Sequence, residues 1–213
     1  MVWADCEMTG LDLANDALIE VAALVTDGKL NVLGDGIDLI IKPSDAALEQ
    51  MGDFVRTMHS SSGLLTELES GLAMAEAEEQ ILDYVRTFVP DPRKAPLAGN
   101  TIGTDRTFLA AQMPTLEGYV HYRNVDVSSI KELVRRWYPR VYYQSPAKSG
   151  NHRALADIQE SIEEMRYYRD AVFVPPPGPD SITAKGIAAR HQGALTGAMP
   201  ATPTPDASDR ADG

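Results

Sequence analysis

Three apolar, strand-like runs fall within the first 41 residues, and the connections between them are short. Residues 2–7 (VWADCE) read as a strand from the second position, and residues 18–25 (LIEVAALV) as a buried one. Residues 37–41 (IDLII) form a third run, stopped by Lys42-Pro43, with the turn signal Asp27-Gly28 lying before it. Short links of this kind predict antiparallel pairing of the three. The chain therefore begins as a sheet, and its later residues have to cover that sheet.

Those later residues are mostly helical in pattern. Residues 48–58 and 63–68 carry helical periodicity, and 75–88 does so clearly, with Ile81, Leu82, Val85 and Phe88 on one face. Residues 96–99 predict a short central strand and 105–113 a helix. Residues 123–127 predict another strand, after which Ser128 is the expected N-cap of a helix ending at Trp137. A last helix is expected over about 153–173, with Leu155, Ile158, Ile162 and Met165 as its inner stripe. The pattern predicts a mixed α/β sheet covered by helices, with helices outnumbering strands. Beyond residue 174 the composition changes. Residues 175–213 hold seven of the 14 prolines and no aromatic residue, too little apolar area to offset chain entropy. Two parts are expected: a folded domain over 1–174 and a mostly disordered Pro/Ala/Gly-rich tail over 175–213.

Charge narrows the function. The chain has 19 basic and 31 acidic residues, a formal net charge of −12. Proteins that grip long nucleic acids neutralise phosphates with a basic face, so long duplexes are poor candidates as partners. One cysteine, Cys6, excludes an internal disulfide framework and most Cys-based zinc sites. No run is long enough to span a membrane, and the acidic first dozen residues do not read as a secretory signal, so a cytoplasmic setting is expected.

The acids themselves are placed suggestively. Asp5 and Glu7 alternate on the first strand, so both point to one face, roughly 6–7 Å apart. An acid-x-acid pair alone arises by chance in so acidic a chain, but this one ends an apolar strand, where buried acids need partners or a cation. Asp105 comes after a glycine-containing turn (GNTIGTD) leading into a helix, where it also suits the helix dipole. GNHRALAD places His152 just before the last helix and Asp157 within it. On one continuous helix the two would lie about 140° apart, so His152 must belong to the preceding loop if they share a site. Four carboxylates and a histidine suit two-metal phosphoryl chemistry, with two cations about 3.5–4 Å apart and the histidine as proton acceptor. Such ligands favour Mg²⁺ or Mn²⁺.

The strings DCEMTGLD (5–12), GNTIGTDRTFL (99–109), HYRNVDVSSIKEL (121–133) and GNHRALADI (150–158) together resemble the oligoribonuclease family of DEDDh 3′→5′ exonucleases. The resemblance covers residues 1–174 in order and leaves out the tail. It implies an RNase H-like exonuclease fold and hydrolysis of short RNA, dinucleotides especially, to 5′-mononucleotides. It implies that Asp5, Glu7, Asp105 and Asp157 bind two divalent cations and that His152 is the general base. Leu11 would wedge between two bases and Phe54 stack on one. His59, Thr101, Tyr122, Arg123 and Ser128 would close around the 5′ phosphate, with Tyr122 and Arg123 reaching across a homodimer. Three positions depart from the family pattern: Phe54 stands for a usual tryptophan, Thr101 for a serine and Thr104 for a glutamine. A DNA-proofreading exonuclease and a non-hydrolytic nucleotide-binding module remain alternatives. Trp137, Tyr138, Tyr142 and Tyr143 are expected in the core or at a dimer contact. Cys6 is expected to pack on the face away from the acids.

Overall fold

The structure, a computed structural model, describes residues 1–147 and 152–192. Gly150 and Asn151 of the last motif, and residues 193–213 of the expected tail, lie outside the described residues. The chain divides into two compact units, Met1–Val172 and Phe173–Gly213.

In the first unit, β1 (Val2–Met8), β2 (Leu18–Thr26) and β3 (Val32–Ile40) form the expected antiparallel meander. Then come α1 (Asp45–Glu49), α2 (Asp53–Ser61), α3 (Leu64–Glu67) with a 3-10 turn at Leu68–Ser70, and α4 (Met74–Phe88). The order continues with β4 (Pro96–Gly99), α5 (Ile102–Gln112), α6 (Pro114–Tyr119), β5 (His121–Asp126), α7 (Val127–Trp137), α8 (Pro139–Tyr142) and α9 (Ala154–Val172). The strands make one mixed sheet in the order β3-β2-β1-β4-β5, with β4 parallel to both β1 and β5.

Strand alternation sorts the core onto two faces. Val2, Ala4, Cys6 and Met8 of β1 pack with Val21 and Ala23 of β2 against Ile81, Leu82 and Val85 of α4 and Phe108 and Leu109 of α5. Trp3, Ala22, Leu24 and Ala98 face the other way, against Val127 and Val134 of α7 and Ile158, Ile162 and Tyr168 of α9. Every residue of β2 is buried, as a strand covered on both faces requires. The buried indole of Trp3 donates to the Thr26 hydroxyl at 2.9 Å, so its one polar atom is satisfied.

Several boundaries differ from the sequence expectation, each for a local reason. The single helix expected over 48–58 is two helices. Gly52 is extended (ψ 152°) and caps α2, while Met51 turns inward to a small third cluster with Ile19, Leu64 and Leu68. β3 begins five residues earlier than expected, because Gly34 and Gly36 adopt positive φ yet pairing resumes at Leu33 and Val32. The helix α6 has no counterpart in the sequence expectation; Pro114 opens it in its first turn, where a missing N–H costs nothing. Asp126, not Ser128, caps α7, accepting from the Ser128 N–H at 3.0 Å and leaving the Ser128 hydroxyl free for other partners.

In the second unit, Ser181–His191 forms a further helix, α10, within the segment expected to be mostly without structure. Asp180 caps it by accepting from the Thr183 N–H at 2.7 Å, and no residue of α10 is buried. Its order is thus local, from a cap and an alanine-containing run. Among the described residues no helix is long and apolar enough to cross a membrane.

The packing of α4 predicts a contrast. Ile81→Ala, deep under the sheet, should cost about 2–5 kcal/mol in urea unfolding. Glu79→Ala, on the exposed face of the same helix, should stay within about 0.5 kcal/mol.

Candidate active site

The site forms where β1 and β4 end. These parallel neighbours stop at the same edge of the sheet, and the chain leaves them in different directions, the arrangement that opens a crevice at strand C-termini. β4 is short and pairs with β1 only at Val2 and Trp3, so among the described residues the later part of β1 has no strand on that side. The Cys6 N–H instead donates to Asp105 Oδ1 at 3.0 Å, which ties the first turn of α5 to the middle of β1. The approach of β4 to β1 is close: a Cβ at Gly99 would lie 2.8 Å from the Ala4 carbonyl oxygen.

Trp3, Asp5 and Glu7 point to the face covered by α9, whose first turn holds Asp157. His152 lies two residues before α9 with φ +50°, on the loop side of the junction as the sequence spacing demands. Among the described residues, Glu7, His152 and Asp157 offer donor atoms that all lie within 4.8 Å of one another. Asp5 and Asp105 stand outside this triad but share its electrostatic field. Burial pushes the Asp5 carboxyl up to about 9, and the charges of Asp105, Glu7 and Asp157 push the same way. Burial likewise raises Glu7 to about 8, assisted by Glu20, Asp157 and Asp105. Asp105 rises to about 6, burial being opposed by its bonds to Cys6. Carboxyls crowded and desolvated in this way favour neutrality unless positive charge joins them.

The chemistry of the donors indicates which charge fits. Three carboxylates and an aspartate at a helix start, with one imidazole, form a hard oxygen-rich set that suits Mg²⁺ or Mn²⁺ better than a thiophilic metal. His59 adds a second mark of incompleteness. It is fully buried, and its Nε2 donates to the Met8 carbonyl at 2.9 Å. Burial lowers its pKa, which favours a neutral ring with Nδ1 as the acceptor; among the described residues Nδ1 has no hydrogen-bond partner, and it lies 3.9 Å from Glu7 Oε2.

Other expected substrate residues surround this centre. A cleft of about 830 Å³ is lined by Phe54, Thr57, Met58, Ser61, His152 and Arg153. Phe54 and Leu11 are large apolar side chains left 81% and 75% exposed. Thr101, in the left-handed region at φ +54°, and Ser128 contact each other: the Thr101 N–H donates to Ser128 Oγ at 2.9 Å and the hydroxyls lie 3.0 Å apart. Tyr122 and Arg123 lie on the edge strand β5, both exposed, with the guanidinium 5.4 Å from the ring centre. The ring of His59 meets Met8 and Glu7, whereas Thr101 and Ser128 meet each other. Trp137, Tyr138 and Tyr143 are largely exposed and so are not core; Tyr142 packs partly against the second core cluster.

Three features of this site give only faint signals in the sequence. Glu20 is fully buried in β2, directly opposite Glu7, and Arg153 binds it. An acid inside LIEVAALV is the available signal. Asn100 joins the two halves of the site, accepting from Ser128 Oγ at 3.0 Å and donating to Ser161 Oγ at 2.7 Å. Cys6 packs on the face away from Asp5 and Glu7 as expected, yet its backbone N–H and its thiol both bond Asp105.

Comparison with known proteins agrees with this architecture. The RNase_T family model, described as an exonuclease, matches residues 2–165. The oligoribonuclease of Cutibacterium acnes is 69% identical over 198 residues, covering 93% of this chain and 98% of that one. That of Streptomyces griseus is 70% identical over 190 residues, covering 89% and 94%. Among solved structures, exonuclease I of Methylocaldum szegediense superposes with a TM-score of 0.55 at 20% identity, over 89% of this chain and 43% of the other. A metal-free exonuclease I–ssDNA complex from E. coli gives 0.60 at 17% identity, over 92% and 43%. The chain thus spans less than half of these exonuclease I chains, and the likeness to them is one of fold. The acid-lined crevice at the end of β1 and the match along both sequences lead to one conclusion: this chain belongs to the RNase_T exonuclease family and, within it, to the oligoribonucleases.

Proposed function

We propose that the protein removes nucleotides from the 3′ end of short RNA oligonucleotides, dinucleotides foremost, releasing 5′-mononucleotides with two Mg²⁺ or Mn²⁺ ions bound. The observation that carries this is the crowding of Asp5, Glu7, Asp105 and Asp157, with Asp5 and Glu7 raised by burial and by neighbouring acids and Asp105 raised by burial. Asp5, Glu7, Asp105 and Asp157 would hold the cations. Bound there, divalent cations offset the negative charge that develops on the phosphate and make water a better nucleophile at neutral pH.

The chain's own residues supply the rest. His152 is exposed at the crevice, beside Glu7 and Asp157, and takes the proton of the attacking water at its imidazole nitrogen. The neutral Nδ1 of His59 accepts a hydrogen bond from a substrate hydroxyl, which would satisfy an atom buried without a partner among the described residues. Leu11 inserts between the two bases and Phe54 stacks on one, uses that account for their exposure. Thr101 and Ser128, at the starts of α5 and α7, receive the 5′ phosphate where two helix N-termini meet. Tyr122, Arg123 and the exposed Trp137 lie on β5 and α7, a surface suited to a second copy of the chain. The homodimer would bring Tyr122 and Arg123 to the partner's phosphate site. A net charge of −12 favours short substrates, because a long polyanion would be repelled outside the cation site. The setting is cytoplasmic on this reading, with the single thiol reduced.

Purified protein with Mg²⁺ should convert a 5′-phosphorylated diribonucleotide to mononucleotides, faster than it shortens a twenty-base strand. No cleavage of the dinucleotide would overturn the proposal, and a preference for the longer strand, DNA included, would favour a proofreading role. Asp157→Asn and His152→Ala should each lower kcat by at least about 100-fold without loss of fold, as seen by circular dichroism. Asp5→Asn removes a carboxyl that is ionised in the unfolded chain but, raised to about 9, must be protonated in the metal-free fold at neutral pH. It should raise the Tm of the metal-free protein by a few degrees, on the order of 1 kcal/mol at this size. The rise in Tm that Mn²⁺ gives the parent protein should be lost in the same variant. Arg123→Ala should raise KM about tenfold for the 5′-phosphorylated dinucleotide, through a lost charge-assisted bond, and leave the unphosphorylated one little changed.

A further inference from the structure

The face of the sheet under α9 carries more acid than the proposed cation ligands. Glu20, fully buried on β2, sits opposite Glu7 in the β1–β2 register, and Asp38 lies beyond it on β3 opposite Ala22. Glu67 joins them from the end of α3. One guanidinium answers this second row. Arg153 donates from Nε to Glu20 Oε1 at 2.8 Å, from Nη1 to Glu67 Oε1 at 2.9 Å and from Nη2 to Glu67 Oε2 at 3.3 Å. The next residue reinforces the grip, the Ala154 N–H lying 3.4 Å from Glu20 Oε2.

Arg153 is the residue immediately after His152, and His152 is held in the left-handed region at φ +50°. That conformation is unfavourable for an L residue and persists only where the surroundings enforce it. His152 itself is exposed, so its own side chain is not gripped by the core. Among the described residues, the constraint on His152 comes along the backbone from a neighbour fixed on rigid elements. Arg153 is that neighbour, forked between β2 and α3. Its anchor, Glu20, is the cross-strand partner of Glu7, so one rung of the sheet sets the position of both the carboxylate and the imidazole.

We propose that Arg153, clamped by Glu20 and Glu67, is a positioning residue that holds His152 over Glu7 and Asp157. The clamp also ties Glu20 and Glu67 to a positive charge of the chain's own. The kinetic part of this rests on the hydrolysis proposed above; the structural part does not.

Arg153→Lys and Glu67→Gln test it. A lysine ammonium cannot span both acids as the fork does. Glu67 is partly exposed, and the change to glutamine keeps its size. In Arg153→Lys, kcat for the diribonucleotide should fall about tenfold to a hundredfold, as expected for a catalytic group shifted by about 1 Å. In Glu67→Gln the fall should be smaller and KM should change by less than about twofold, because Glu67 is not among the residues that line the cleft. In the metal-free protein the His152 Cε1–H resonance, identified against His152→Ala, should shift and broaden in both variants while amide signals of β1 and β2 remain in place. A purely structural role would lower Tm without moving that resonance. An unmoved resonance, or a kcat equal to the parent's in both variants, overturns the proposal. If the parent cleaves no oligonucleotide, the hydrolytic reading fails alone and the resonance still decides. Should Arg153→Lys not fold, Glu67→Gln carries the same comparison.

Discussion

Repulsion among buried carboxylates is the constraint around which this molecule is organised. Pairing of β1 with β2, and of β2 with β3, brings Asp5, Glu7, Glu20 and Asp38 to one face of the sheet, because strand side chains alternate with a period of two. The remaining structure divides that burden. On the β2–β3 side, Arg153 supplies a fixed positive charge. Around β1, the carboxyls are driven toward neutrality, Asp5 to about 9 and Glu7 to about 8. A site of this kind weakens the empty fold and gains from any cation that enters.

The two faces of the sheet have different duties. The face under α4 and α5 is close-packed hydrocarbon with a single apolar cysteine among it. The face under α9 is apolar near Trp3 and becomes ionic toward the end of β1. Asp105 crosses between them. It starts from α5 on the apolar side and reaches the crevice because the short β4 leaves the Cys6 N–H unpaired for it to accept. The depth of the crevice thus depends on a strand being four residues long. Gly99 permits that strand to lie against the Ala4 carbonyl.

Much of this is legible in the chain. The meander, α4, α5, β4, β5 and α9 emerge from hydrophobic periodicity, which is strong where one side of an element is buried. The acids at 5, 7, 105 and 157 and the histidine at 152 stand out because charge at the end of an apolar strand or at a helix start is unusual. The elements that depart from expectation are those with weak periodicity. The break at Met51-Gly52 and the helix α6 depend on where a single side chain finds its pocket. The glycines of β3 look like a turn until a partner strand restores the pairing. α10 shows no buried side at all, so its pattern carries no stripe to detect.

Local sequence by itself determined the alternation of strands and helices, the alternate placement of Asp5 and Glu7, and the need for His152 to stand off the helix that bears Asp157. These are consequences of covalent spacing and backbone period. Tertiary structure alone decided that Glu20 lies opposite Glu7, that Arg153 bridges residues 133 and 86 positions away, and that Asp105 takes its bond from Cys6. Register, crossover and strand length set those meetings. They are properties of how elements pack, which no local pattern encodes.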